Sequence, residues 1–301
     1  MKLASKTLQA IDLALEKDQG AKFRGLLKQS VLELEDAFRD KAEFFRSHLG
    51  ASLLGKRCGR ELWYSFHWAV KSNHTGRILR LFNRGHLEEA RFVALLRLIG
   101  VEIFQFDENG KQFRISGHAG HYGGSGDGIG LGIPDIPAGA YALLEFKTHN
   151  DKSFNLVKAK GVYEAKYEHW AQMVQYMEKF KLPFALYVAG NKNDDSLYAE
   201  IIEANPEGAQ MLEDRAGKII WMKNAPAKIG NPPTAGYFEC RFCNYRGVCH
   251  LKEQPDLNCR SCSFSEPTER GTWFCNNYQQ DIPKDALEDG CTSWNKHPDM
   301  G

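Results

Sequence analysis

The chain has 301 residues, of which 43% are hydrophobic and 26% charged, a composition suited to a folded globular protein and too apolar for disorder. No run approaches the roughly 20 consecutive apolar residues of a membrane span, so a membrane partner is excluded and a cytoplasmic protein is expected. The net charge of +1, from 39 basic and 38 acidic side chains, neither demands nor forbids nucleic acid.

The N-terminal MKLASKTLQAIDLALEK breaks each apolar run with Lys, Gln, Asp or Glu. It lacks a signal-peptide core and reads as the start of an amphipathic helix. Helical spacing predicts two helices over residues 3–50, then two more over 57–75 and 76–99, with Gly100 as the last C-cap. Between them Lys56, Arg57, Arg60, Lys71, Arg77, Arg80 and Arg84 are opposed only by Glu61. Such a patch can neutralise phosphates, or is simply a solvated helical face. VEIFQF and KQFRIS flank Asp107-Glu108-Asn109-Gly110, a hairpin signal. A glycine-rich stretch from Gly117 to Gly132 leads into the strand YALLEFKTH. Residues 164–181 return to helical period. FALYVAG and LYAEII predict strands around a polar turn at Asn191–Asp195, and 205–224 predicts a helix. Pro226, Pro232 and Pro233 mark a linker into a cysteine-rich tail. The expected organisation is a helical region over 1–75, an α/β core over 76–225 and a cysteine-rich region over 226–301.

In YALLEFKTH, strand alternation puts Ala142, Leu144 and Phe146 on one face, suited to a core, and Leu143, Glu145 and Lys147 on the other. A Glu and a Lys on an otherwise apolar strand need partners if buried. Asp127 precedes them in Gly124-Ser125-Gly126-Asp127-Gly128, where glycine permits a bend or a close backbone approach. No Lys-Ser/Thr follows, so this is not a Walker A loop. Asp127 and Glu145 on adjacent strands would offer oxygen ligands to a hard divalent cation, with Lys147 polarising a water. On 76–99, Leu79, Phe82, His86, Ala90 and Val93 follow one apolar stripe. On 164–181, Trp170, Met173, Met177 and Phe180 form the buried stripe, flanked by His169, Gln172, Tyr176 and Lys179.

Together these pieces resemble the RecB-like branch of the PD-(D/E)xK nuclease superfamily. A helical His86, then Gly-Ser-Gly-Asp127-Gly, then Glu145-Phe146-Lys147 on a strand, then Gln172-Met-Val-Gln-Tyr176 on a helix match its His, G-x-x-D, E-x-K and Q-x-x-x-Y elements in order, across residues 76–203. The resemblance implies a restriction-endonuclease-like core over 76–225, a mixed central sheet flanked by helices. It implies that Asp127, Glu145 and the Phe146 carbonyl bind Mg2+ or Mn2+, with His86 tilting preference towards Mn2+. Lys147 would orient or activate the attacking water, while Gln172 and Tyr176 would position the DNA backbone and the metal site. Glu89, one turn from His86, would be an outer partner.

Seven of the eight cysteines follow residue 239; the other is Cys58. Metal binding is expected rather than disulfides. Two partitions compete. In one, Cys240, Cys243, Cys259 and Cys262 have zinc-ribbon spacing. In the other, Cys58 joins Cys240, Cys243 and Cys249. That arrangement resembles the iron–sulfur nucleases, AddB and the RecB-like nuclease of CRISPR adaptation, where a [4Fe–4S] cluster staples the two ends of the chain. The segment Cys58-Gly-Arg60-Glu-Leu-Trp63-Tyr64 supports it, and Cys259, Cys262, Cys275 and Cys291 then suit a zinc site, with His297 spare. The second partition uses all eight and is preferred. The expected activity is a metal-dependent deoxyribonuclease, an exonuclease in recombination, repair or phage DNA processing, with DNA and a recombination or replication protein as partners. Structure- or site-specific endonuclease and a silent, zinc-bearing DNA-binding protein are the alternatives.

Overall fold

The computed structural model describes residues 1–34, 36–38, 40 and 44–301. Its helices are α1 (Ser5–Asp18), α2 (Ala21–Val31), α3 (Gly59–Phe66), α4 (Gly76–Leu98), α5 (Asp151–Ala165), α6 (Tyr167–Phe180), α7 (Pro206–Trp221), α8 (Phe238–Arg241) and α9 (Arg246–His250). Its strands are β1 (Leu49–Gly50), β2 (Glu102–Phe104), β3 (Arg114–Gly117), β4 (Tyr122–Ser125), β5 (Gly128–Leu131), β6 (Tyr141–His149), β7 (Phe184–Asn191), β8 (Leu197–Glu203), β9 (Ser265–Pro267), β10 (Trp273–Cys275) and β11 (Gln280–Ile282). The two helices expected over 3–50 are α1 and α2; the remainder of that stretch at 35, 39 and 41–43 lies outside the described residues. The chain divides into two compact units, one of Met1–Ala42, His74–Ile115 and Ser125–Gln210, the other of Glu43–Asn73, Ser116–Gly124 and Met211–Gly301. No helix among the described residues is long and apolar enough to cross a membrane.

The first unit is a mixed α/β layer structure. Its five-stranded sheet has the order β2-β5-β6-β7-β8. Only β6 and β7 are parallel, and the crossover such a pair requires is supplied by α5 and α6. Helix α4 covers the face carrying Ala142, Leu144 and Phe146. Phe92 stacks on Phe146 with centroids 5.4 Å apart, and Val93, Leu96, Leu186 and Val188 complete that core. The N-terminus is pinned to the sheet edge: Ala4 N–H donates to Ala199 O at 3.0 Å, and Ile201 N–H to Lys2 O at 2.8 Å. Ala4 cannot cap α1 with its own side chain. Asp135 does so instead, accepting from the amides of Lys6 (3.2 Å) and Thr7 (2.7 Å) and from the Thr7 hydroxyl (2.7 Å).

Three local expectations are corrected. The turn at Asp107–Gly110 forms, with Asp107 N–H donating to Lys111 O at 2.7 Å and an antiparallel bridge between Phe106 and Gln112, but the hairpin is confined to this bridge and the arms part beyond it. β2 pairs with β5 and β3 joins another sheet, since a two-stranded hairpin alone is marginal and strands gain stability in a larger sheet. Helix α5 occupies residues that carried no helical expectation. Its buried stripe is short (Phe154, Val157, Gly161, Val162), and Gly161 leaves helical geometry at φ 78°, where the carboxylate of Glu200 accepts the Val162 amide at 2.8 Å. The apolar stripe of α4 also reaches the core only in its second half. Ala90 and Val93 are buried, whereas Leu79 and Phe82 are 54% and 46% exposed, because their end of α4 lies outside the core cluster.

The second unit gathers α3 and the tail. Trp63 Nε1–H donates to Met222 O, Tyr64 Oη–H to Asp299 O at 2.8 Å, and Arg60 to Asp299 O and Pro226 O, both at 2.8 Å. Arg260 is buried there. Its guanidinium lies 4.0 Å from the Trp68 ring centroid and donates to the carbonyls of Ser47 and Phe66, which stabilise a charge that burial alone would disfavour. β9, β10 and β11 form a small antiparallel sheet in the order β11-β10-β9.

Candidate active site

Strand β6 carries the centre of the site. Glu145 is fully buried on the face opposite Phe146, and in register it sits beside Tyr187 of β7, which in turn sits beside Glu200 of β8. The carboxylate of Glu145 pairs with the ammonium of Lys147, two residues on, and accepts from Gln172 Nε2 of α6 at 3.2 Å. Lys147 also donates to Phe146 O at 3.2 Å. Asp127 stands at the entry to β5, with its Oδ2 accepting the Phe146 amide at 2.8 Å. The glycine after it is required: Gly128 has φ 150°, and a Cβ there would lie 3.0 Å from Phe104 O.

Burial pushes the Glu145 carboxyl pKa up; Lys147 pulls it back, and Asp127 and Glu89 raise it further. Burial works against the Lys147 ammonium, but Glu145, Asp127 and Glu89 outweigh it and hold the proton tightly. From α4, His86 Nδ1 lies 3.4 Å from Glu89 Oε1, and the Glu89 carboxyl is likewise pushed up, first by burial. His86, Glu89, Asp127, Glu145 and Lys147 therefore form one electrostatically coupled group. Gln172 and Tyr176, on a flank that could have been helix surface, are both buried, with the Tyr176 ring stacked on Phe180 at 6.2 Å.

The sequence reading missed what lies beyond Lys147. His149 continues the same strand face and is 6% exposed. Its Nε2 lies 2.8 Å from Tyr187 Oη, which lies 3.0 Å from His169 Nδ1, and its Nδ1 lies 3.1 Å from Ser153 Oγ. The i, i+2 step from Lys147 to His149 was a readable signal; the participation of Tyr187, on another strand, was not.

All eight cysteines are free. Cys58, Cys240, Cys243 and Cys249 line one small cavity of the second unit, together with Glu61, Tyr64 and Tyr245. Cys259, Cys262, Cys275 and Cys291 line another. Cys240 and Cys243 thus line one cavity, and Cys259 and Cys262 the other. Burial pushes the Cys243 thiol up to about 12 and the Cys259 thiol up to about 11, the latter with help from Cys291, Cys262 and Cys275. His297 is not brought to the second cavity. Its Nε2 meets Lys223 O at 3.1 Å and its Nδ1 accepts from Asp299 N–H at 3.2 Å.

Among the described residues, no group of three or more His, Cys, Asp or Glu is arranged to hold a metal ion as the side chains stand. The chemistry of the donors nevertheless suits one at the β5–β6 site. Asp127, Glu145 and the Phe146 carbonyl are hard oxygens of the kind Mg2+ and Mn2+ take. Glu145 Oε1 is buried against the Lys147 ammonium, so the site already holds a cation beside that oxygen.

No protein-family model matches the sequence, and a comparison with curated proteins finds no match. Among solved structures, SSO0001 aligns with 78% of this chain and 100% of its own at 18% identity and a TM-score of 0.40. The alkaline exonuclease LHK-Exo of Laribacter hongkongensis aligns with 57% of this chain and 86% of its own, at 14% identity and a TM-score of 0.41. Its complex with dAMP gives 15% and 0.40 over the same shares. Likenesses at these TM-scores are too remote to assign a family.

Proposed function

We propose that the protein is a divalent-metal-dependent deoxyribonuclease of the RecB-like PD-(D/E)xK type, acting as an exonuclease in recombination, repair or phage DNA processing. The observation that carries this is the convergence of Asp127, Glu145 and Lys147 at the β5–β6 pair, with His86 and Glu89 arriving from α4. Asp127, Glu145, the Phe146 carbonyl and His86 would hold Mg2+ or Mn2+. Bound there, the metal would lower the pKa of a water and stabilise charge developing on the scissile phosphate. Gln172 fixes the Glu145 carboxylate through the 3.2 Å contact, and Tyr176 supports the same helix face. Lys147 is fully charged and half-buried, so it suits the task of orienting a nucleophilic water against phosphate. Arg77, Arg80 and Arg84 on the exposed end of α4 supply positive charge for the DNA backbone.

The cysteine groups complete the reading. Cys58, Cys240, Cys243 and Cys249 would carry a [4Fe–4S] cluster and Cys259, Cys262, Cys275 and Cys291 a zinc ion; the support is that each quartet lines its own cavity. The decisive experiment is digestion of end-labelled linear and circular DNA with Mn2+ or Mg2+. Loss of label from linear DNA, with circles intact and Glu145→Ala inactive, is the expected result. Cut circles would make it an endonuclease, and no metal-dependent cleavage would reject the assignment.

A further inference from the structure

Ser153, His149, Tyr187 and His169 form an unbroken hydrogen-bonded chain, with steps of 3.1, 2.8 and 3.0 Å. Its two middle members are buried, while Ser153 and His169 at its ends are half-exposed. The Tyr187 hydroxyl meets His169 at Nδ1, which leaves Nε2 as the outer nitrogen of this half-exposed ring. The chain also adjoins the catalytic group. His149 is the next residue after Lys147 on the same strand face, Tyr187 is the register partner of Glu145, and His169 lies one turn before Gln172, which holds Glu145.

We infer that this chain is a proton relay, with His169 as the acid that protonates the leaving sugar oxygen. The inference rests on the nuclease reading above. Every member can both give and receive a proton, and the hydrogen bonds can run in either direction. In one direction Ser153 Oγ–H donates to His149 Nδ1, His149 Nε2–H to Tyr187 Oη, and Tyr187 Oη–H to His169 Nδ1. His169 Nε2 then carries a proton at the half-exposed end. In the other direction all three bonds are reversed and that nitrogen is bare. Burial, then nearby lysine charge, holds both histidines in the neutral form, His149 near 4 and His169 near 2. Each therefore works by exchanging tautomers, not by becoming charged.

During hydrolysis the water oxygen forms a new bond to phosphorus and the bond from phosphorus to the leaving sugar oxygen breaks, with its electron pair going to that oxygen. His169 Nε2 gives the oxygen its proton. His169 Nδ1 takes one from Tyr187, Tyr187 from His149 Nε2, His149 Nδ1 from Ser153, and Ser153 from solvent. The attacking water releases one proton to solvent, so the balance closes. The chain resets when water reprotonates His169 Nε2 and Ser153 returns a proton.

The test compares ordinary DNA with DNA carrying a bridging sulfur at the scissile linkage, as 3′-S- and 5′-S-phosphorothiolate oligonucleotides. The products identify which position leaves. A thiolate leaves without a proton, so it has no need of the relay. In single-turnover reactions, His169→Gln should slow cleavage of ordinary DNA about 100-fold or more. It should cut the linkage with a leaving sulfur within a few-fold of the unaltered protein. Tyr187→Phe, which severs the chain but keeps the ring, should show the same split with a smaller loss. Both substrates meet the same preparation, so partial unfolding lowers both rates alike and cannot imitate the split. Equal losses on the two substrates, or no loss on ordinary DNA, would overturn the relay and leave the nuclease standing. An unaltered protein that cuts neither substrate would reject the nuclease reading and the relay with it.

Discussion

The Glu145–Lys147 pair predicts that two substitutions breaking one contact differ sharply in cost. Glu145 is 0% exposed, whereas the Lys147 side chain is 27% exposed. In Glu145→Gln the ammonium that loses its partner still reaches solvent and keeps Phe146 O at 3.2 Å. The amide can still face Gln172, so the loss should be about 1–2 kcal/mol. In Lys147→Met the carboxylate is left buried with only the Gln172 amide, and breaking a buried pair in this way costs about 3–5 kcal/mol. Protonation relieves that cost. Burial already raises the Glu145 pKa, and removing Lys147, which opposes burial, raises it further. The folded variant would then bind a proton that the unfolded chain releases, so its stability falls as pH rises through the range between the unfolded and folded pKa values. Urea unfolding in EDTA at pH 5.5 and pH 8 measures both effects. Lys147→Met should lose more than Glu145→Gln at pH 8, and the gap should narrow at pH 5.5. A larger loss for Glu145→Gln, or a gap independent of pH, would show that the buried carboxylate does not set the electrostatics of the site.

How much of this was legible in the sequence follows the range of the interactions. Glu145, Phe146 and Lys147 were readable because strand alternation is local, and Asp127 because the Gly128 it precedes must adopt φ 150°. Gln172 was placed on the right flank by helical arithmetic, but its burial depends on the sheet beneath α6, which no helical period contains. The Asp135 cap on α1 joins residues 128 and 129 positions apart, and Ala4 gave no hint of it. Helix α5 was hidden because Glu200, on a later strand, supplies the acceptor that the kink at Gly161 would otherwise leave missing. Periodicity on α4 predicted an apolar stripe through Leu79, Phe82 and His86. It could not reveal that the core stops near Ala90, because that limit belongs to the sheet and not to the helix. His297 looked like a spare ligand by composition, yet backbone groups of the same unit occupy both its nitrogens.

Other outcomes follow from single residues. Asp135→Ala removes the α1 cap and strands the fully buried Thr7 hydroxyl, so it should cost about 2–4 kcal/mol; an unchanged urea midpoint would mean that α1 does not depend on the cap. His86→Ala should erode any preference for Mn2+ over Mg2+ in cleavage assays without abolishing activity, since imidazole is the ligand suited to the softer ion; an unaltered metal profile would make its Glu89 contact purely structural. The strongest outcome concerns metal content, because the two cysteine quartets occupy separate cavities. Protein prepared without oxygen should be brown, with about four iron atoms and about one zinc. Cys58 lines only the first cavity, so Cys58→Ala should lose iron and keep zinc; Cys262 lines only the second, so Cys262→Ala should do the reverse. The iron-free variant should also be the less stable. Cys58 and Cys240 lie about 180 residues apart, and a cluster joining them restricts the unfolded chain more than a zinc site within residues 259–291 can. The hydrogen bonds from Arg60, Trp63 and Tyr64 to the tail would remain, so the variant should fold with a lowered melting temperature and not fail outright. Metal analysis by mass spectrometry alongside thermal unfolding reads both quantities on one sample. Colourless anaerobic protein with about two zinc atoms would refute the cluster. Loss of both metals from either variant would refute the independence of the two sites.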